Sequence, residues 1–148
     1  METLTVEKEH LEELAKALYK VEFFSSFKRK DFDNMSGSFE LLSYEAGEVV
    51  FKQGAEGHSF YVVLEGAVQV YKKQLLFMNK QVAELGKREF FGEMALISRI
   101  PRTATIRADN GAKIFRLACT DFTYLFEHNP SFKDALKAIA RRRGLDTA

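Results

Sequence analysis

The stretch from Phe90 to Ala108, Phe-Phe-Gly-Glu-Met-Ala-Leu-Ile-Ser-Arg-Ile-Pro-Arg-Thr-Ala-Thr-Ile-Arg-Ala, decides how the rest of the chain is read. Gly92 permits an unusual backbone angle and lets another group approach the main chain closely. Glu93 to Ile97 is a short run of helix-forming residues, so the amides after Gly92 are unpaired donors at a helix start, a place that attracts phosphate. Pro101 ends the run and fixes the backbone before Arg102, whose planar fork matches two phosphate oxygens. Thr103, Thr105 and Arg107 then alternate with Ala104, Ile106 and Ala108, which predicts a strand. On these residues alone the stretch reads as an anion pocket closed from two sides. It reads equally as a turn glycine, an acid in a first helical turn and a solvated arginine.

The segment resembles the phosphate-binding cassette of the cyclic nucleotide-binding domain family, found in regulatory subunits of cyclic AMP-dependent kinase, catabolite activator proteins and cyclic nucleotide-gated channels. The matching residues are Phe91 to Leu96 and Pro101 to Thr105. Similarity continues upstream through Tyr44 to Phe51, Gln53-Gly54, Ser59 to Val63 and Glu65 to Val68, and it covers the chain from Phe23 to the final helix. The resemblance implies a mainly β fold: an eight-stranded jelly roll flanked by N-terminal helices and two C-terminal helices, with the cassette between its sixth and seventh strands. It implies one domain over 1–148, with a helical segment at 1–38, the roll at 39–117 holding the cassette at 90–105, and helices at 118–148.

The implied ligand is 3′,5′-cyclic AMP, with cyclic GMP as the other candidate. The implied ligand-binding residues are Phe91, Gly92, Glu93, Met94, Ala95, Arg102, Thr103, Ala104 and Val82. Arg102 is expected to pair with the cyclic phosphate, Glu93 to accept a hydrogen bond from the ribose 2′-hydroxyl, and the amides of Met94 and Ala95 to meet the phosphate. Relatives that bind no nucleotide often lack the arginine or the glutamate, and both are present here. A hydroxyl at Thr103 can contact a guanine amino group, whereas alanine is common there in cyclic AMP sites, so the base preference leans to cyclic AMP without being fixed. His58 departs from the pattern, because the family usually has an acid there that braces the arginine. Arg102 is then expected to be loosely held or braced by another group.

Upstream of the cassette and just after it, the period-two segments are Phe39–Tyr44, Glu48–Gln53, Ser59–Leu64, Ala67–Lys72, Leu75–Asn79, Gln81–Glu84, Thr103–Ala108 and Lys113–Leu117. Many short strands separated by glycine turns predict a sandwich or small barrel. The four apolar residues Tyr61–Leu64 break the alternation and predict a strand covered on both faces. Before the strands, Thr5 reads as an N-cap, and Leu11, Leu14, Leu18 and Val21 recur along one helical face. Phe23, Phe24 and Phe27 form an apolar elbow. A second short helix spans Lys28 to Met35, with Phe32 and Met35 inward and Lys28, Arg29 and Lys30 in solvent.

After the strands, a helix from Asp121 to His128 ends at Asn129-Pro130. The last helix places Phe132, Leu136 and Ile139 on one face, a candidate lid over the nucleotide base. Arg141-Arg142-Arg143 suits a helix C-terminus.

With 22 basic and 21 acidic side chains the net charge is +1, so no global field draws the chain to nucleic acid or to a membrane. No apolar run reaches membrane length, and a polar, acidic start is unlike a signal sequence, which predicts a cytoplasmic protein. Cys119 is the single cysteine, expected as a small buried apolar residue. His10, His58 and His128 lie on separate segments and build neither a metal triad nor a nucleophile pair, so no enzyme, metal or cofactor is expected. No helix-turn-helix, kinase or channel segment follows the last helix. The expected partner is therefore an effector protein, or a second copy, met through the terminal helices. The other reading is a nucleotide-independent interaction domain that keeps the roll.

Overall fold

Short alternating strands have one apolar face each and bury it against a second sheet or a helix. Here both solutions occur. The computed structural model describes residues 1–19, 29–74, 78–92 and 101–118, with single helical positions at 120, 121, 127, 134, 138 and 141. In chain order the elements are β1 (Glu2–Leu4), α1 (Lys8–Tyr19), α2 (Arg29–Ser36), β2 (Phe39–Tyr44), β3 (Glu48–Phe51), β4 (Ser59–Gly66), β5 (Val68–Gln74), β6 (Met78–Leu85), β7 (Phe90–Phe91), β8 (Thr105–Ala108) and β9 (Ala112–Ala118). They form a five-stranded sheet, β1-β2-β9-β4-β7, and a four-stranded sheet, β3-β8-β5-β6. All the pairings are antiparallel. The eight strands β2 to β9 are the expected roll, and β1 is an added edge strand on β2. The cassette falls between β7 and β8, the sixth and seventh strands of that roll.

Two apolar layers result, and β4 belongs to both. Phe60, Val62 and Leu64 pack with Leu14, Ala17 and Leu18 of α1, Phe32 and Met35 of α2, and Phe39, Leu41, Phe115 and Leu117. Tyr61 and Val63 point the other way, between the sheets, with Leu42, Val68, Val70, Phe91, Ile106 and Ile114. The run Tyr61–Leu64 is thus covered on both faces, as its unbroken apolarity predicts. Full burial of one such side chain stabilises the fold by about 1.5–3 kcal/mol.

Several boundaries differ from the sequence reading. Thr5 is not the N-cap: α1 begins at Lys8, the Glu7 carbonyl accepts from the His10 and Leu11 amides, and the Glu7 amide donates to His10 Nδ1 at 3.0 Å. Leu75–Asn79 and Gln81–Glu84 are not separate strands, because β6 runs unbroken from Met78 to Leu85. The pairing of β6 with β5 jumps from Val70↔Ala83 to Tyr71↔Gln81, so Val82 is the extra residue of a bulge. The strand expected from Thr103 starts at Thr105. Two strands escaped the pattern: β1, three residues long, and β7, only two, both too short to show a period.

Helix α1 is fixed to the turn before β7 by ionic contacts. Glu13 accepts from Arg88 at 3.1 and 3.3 Å and has Lys16 at 3.6 Å and Lys87 at 3.7 Å. The bond from Arg88 holds the Glu13 carboxyl below the usual carboxylate range. Thr120, Asp121, Glu127, Asp134, Ala138 and Arg141 are helical and exposed. Val21, Phe23, Phe24, Phe27, Lys28, Cys119, Asn129-Pro130 and the lid residues Phe132, Leu136 and Ile139 lie outside the described residues.

Candidate functional site

The site grows from an aromatic floor. Phe91, at the end of β7, sits opposite Tyr61 of β4 in the pairing, and their rings stack at 4.9 Å with planes 7° apart. Phe51, the last residue of β3, leans on both, at 5.8 Å from Tyr61 and 5.9 Å from Phe91. A register shift between Val49 and Phe51, where the pairing of β3 with β8 ends, re-aims the Phe51 ring toward the interior. Phe91 is fully buried, and its ring forms part of the floor.

Arg102 rests on that floor. Its guanidinium lies 4.0 Å from the Phe51 ring centre and 6.0 Å from that of Tyr61. Nη1 donates to the Gly92 carbonyl at 3.2 Å and Nη2 to the Ser59 carbonyl at 2.8 Å. The residue is only 6% exposed. A guanidinium stays charged at any pH a protein survives, and burying a charge is costly unless dipoles surround it. Two carbonyls and a π-face supply those dipoles. The main chain is tied as well: the Arg102 amide donates to Ala55 and the Gly54 amide donates to Arg102, both at 2.8 Å. Gln53 strengthens this seam, its amide bonding Thr105 Oγ1 and its side-chain oxygen accepting from the Lys73 amide, each at 2.9 Å.

Gly92 allows this close assembly. Its φ is +82°, and a Cβ there would lie 2.9 Å from the Ser59 carbonyl and 3.0 Å from Arg102 Nη1. Gly92 and Arg102, ten residues apart, are therefore brought together; Ala104 is fully buried and Thr103 half-buried. Val82 stands on the bulge of β6, 43% exposed. Glu93, Met94 and Ala95 lie outside the described residues. His58 does not serve as the brace: it turns to solvent and meets Glu56 at 3.3 Å. Arg102 is braced by other groups, the second of the two expected outcomes.

Sequence reasoning missed Phe51, Ser59 and Tyr61 as supports for Arg102. Ser59 acts through its main chain, which leaves no signature in residue type. The aromatic residues are indistinguishable from core until the bulge of β3 is seen. Nearby, burial pushes the Tyr44 phenol up to about 12, so it stays neutral beside Tyr61.

A glycine in the left-handed region thus holds its carbonyl to a buried arginine. The family model for the cyclic nucleotide-binding domain matches residues 41–129. The chain belongs to the cyclic nucleotide-binding domain family. The cyclic AMP-dependent protein kinase regulatory subunit of Blastocladiella emersonii is 34% identical over 108 residues, 73% of this chain and 27% of that one. The chain spans less than a third of the length of the curated relatives it matches. Among solved structures, the catabolite activator protein of Thermus thermophilus superposes with a TM-score of 0.73 at 28% identity, covering 82% of this chain and 57% of that one. The regulatory subunit of a cyclic AMP-independent protein kinase A from Trypanosoma brucei shares the fold, with a TM-score of 0.75 at 22% identity over 90% of this chain and 48% of that one. These relatives are regulatory subunits and a catabolite activator protein.

Proposed function

We propose that the chain is a sensor domain that binds a 3′,5′-cyclic nucleotide and signals by repacking its terminal helices. The observation that carries the reading is Arg102, a buried cation positioned on an aromatic floor beside Gly92. In this reading Arg102 takes the cyclic phosphate, Glu93 accepts from the ribose 2′-hydroxyl, and the Met94 and Ala95 amides complete the phosphate shell. Thr103, Ala104 and exposed Val82 flank the nucleotide. A carboxylate beside a phosphate is repelled unless a hydroxyl donor lies between them, so Glu93 selects for a ribose. Cyclic AMP is the favoured ligand, since the matched kinase subunits carry that dependence in their names. A Thr103 bond to a guanine amino group is worth about 1 kcal/mol, roughly fivefold, too little to reverse that choice alone.

The test is a melting curve. At a hundredfold excess of cyclic AMP over its dissociation constant, linkage adds about 2.7 kcal/mol, which raises the midpoint by roughly 5–10 °C in a domain of this size. Cyclic GMP is expected to shift it less, and linear 5′-AMP not at all. No shift with either cyclic nucleotide at millimolar concentration sinks the sensor reading. It would favour the nucleotide-independent interaction domain.

The repacking part has its own measurement. Phe132, Leu136 and Ile139 are proposed to close over the base, and a ligand moves such a balance only by its differential affinity for the two arrangements. Amide exchange across Phe132–Ile139 is expected to slow on adding cyclic AMP. If it stays unchanged while Met94 and Ala95 become protected, the lid is wrong and the pocket survives.

A further inference from the structure

We propose that the tip of the β5–β6 hairpin docks on a membrane surface rich in anionic lipid, through Lys72, Lys73 and Lys80 with Lys52 beside them. The proposal is independent of the nucleotide site. Strand β5 pairs with β8 only from Gln69 to Tyr71, and residues 72–74 pair with residues 78–80 of β6 alone. The hairpin thus ends in a two-stranded prong. At the rise of a strand it reaches about 10 Å, and a headgroup layer is about 5–8 Å thick. Lys72 stands directly opposite Lys80 in the ladder. Like charges in that position repel and destabilise the sheet. The chain has 21 acidic side chains, yet none lies between Glu65 and Glu84 to relieve the pair. Among the described residues, Lys52, Lys72, Lys73 and Lys80 make no ion pair, whereas Lys16, Lys87 and Lys113 each meet a carboxylate. A local rule broken with no compensation inside the fold points to a partner outside it.

The arrangement of the cations selects the partner. Strand alternation sets Lys72 and Lys80 on one face of the prong and Lys73 on the other. Lys52 comes to the same end, because the neighbouring Gln53 side chain accepts from the Lys73 amide at 2.9 Å. Charges on both faces of a tip suit an anionic layer that surrounds the tip when it enters end-on. A nucleic-acid groove or an acidic protein face would engage one side and leave the other in water. By sequence alone, the residues joining the two strands are Leu75, Leu76 and Phe77, where a hairpin connection ordinarily holds Gly, Asn or Asp. Lysines beside apolar residues are the composition of segments that rest at the boundary of headgroups and acyl chains. The net charge of +1 conceals this end, since the remainder of the chain is net acidic. With a screening length of about 8 Å, a membrane responds to the nearest cations and not to the whole-chain charge.

Co-sedimentation of the whole chain with lipid vesicles is the test. Phosphatidylcholine vesicles holding about one-third phosphatidylserine should carry the protein down at about 0.1 M salt, and phosphatidylcholine alone should not. Each lysine near such a surface changes the partition about fivefold, so Lys80→Gln should weaken binding about fivefold and Lys72→Gln with Lys80→Gln about 25-fold. Lys80→Gln also removes the like-charge pair, so its melting temperature should hold or rise. Weaker binding by an undiminished fold cannot come from unfolding. Lys113→Gln is the control: Lys113 meets Glu65 at the end of β4 that leads into β5, away from the prong, and this variant should bind as the wild type does. Equal binding to neutral and anionic vesicles, no binding to the anionic ones, or an equal loss in Lys113→Gln overturns the proposal. Single-stranded RNA that binds more tightly than the anionic vesicles at the same salt overturns the choice of lipid.

Discussion

Replacing Arg102 with alanine is expected to weaken cyclic nucleotide binding by about 30-fold to several thousandfold. Truncating one partner of a desolvated charge pair costs about 2–5 kcal/mol, and each 1.4 kcal/mol is tenfold. The upper part of the range is favoured by burial, since Arg102 as a residue is only 6% exposed. Lysine keeps the charge but loses the fork and the stack on Phe51, so Arg102→Lys should fall between alanine and wild type. Glu93→Gln retains an acceptor for the ribose hydroxyl and should cost less than either. The loss should not come from unfolding. Removing a buried charge takes away a desolvation cost as well as its bonds to Gly92 and Ser59, so the ligand-free melting point should move by only a few degrees. Calorimetry on the three variants checks the order. An Arg102→Ala protein that binds like the wild type would remove Arg102 from the site.

How much of the site is legible in the sequence depends on whether a residue acts through its type or through its place. Arg102 and Gly92 act through type: only arginine carries a planar fork, and only glycine sits at a φ of +82° without strain. Both are conspicuous in the amino-acid sequence itself. Strand β2 is legible from its period, and Phe39–Tyr44 matches its expected bounds to the residue, whereas β4 is legible from its unbroken apolar run, which is buried on both faces. Val82 is legible as a ligand-side position only by resemblance; its exposure follows from a bulge that no local pattern announces. Strand β7 is held by pairing to β4 and by ring stacking, not by propensity, so two residues give no signal. Ser59 is invisible for a different reason. Its carbonyl is the same in every residue, and what matters is where β4 starts. The ring of Phe51 under Arg102 combines both difficulties, an ordinary core residue aimed by an irregular register.

Gly92→Ala is the substitution expected to harm folding and binding together. At a φ of +82° any side chain costs about 1–2 kcal/mol in backbone strain. The new Cβ would also lie 2.9 Å from the Ser59 carbonyl, 3.0 Å from Arg102 Nη1 and 3.2 Å from Tyr61 Cδ2. A main-chain oxygen and a stacked ring cannot yield as a surface side chain would, and crowding of this kind adds about 1–3 kcal/mol. Together the terms amount to about 2–5 kcal/mol, or roughly 5–20 °C in melting temperature. Gly47 supplies the control. Its φ is +87°, nearly the same, but an added Cβ there meets nothing within 4 Å. Gly47→Ala should therefore show the strain alone and leave nucleotide binding untouched. The excess in Gly92→Ala measures the crowding, and its direction is informative. The methyl presses on the two groups that hold the guanidinium, the Ser59 carbonyl and Nη1 itself, so affinity should fall even at temperatures where the variant is fully folded. Thermal melts and calorimetry on the two alanine variants make the comparison. Equal losses of stability at Gly47 and Gly92 would mean that the approach of Arg102 to Gly92 is not as close as 3.0 Å in solution, and the two-sided clamp on the arginine would have to be abandoned.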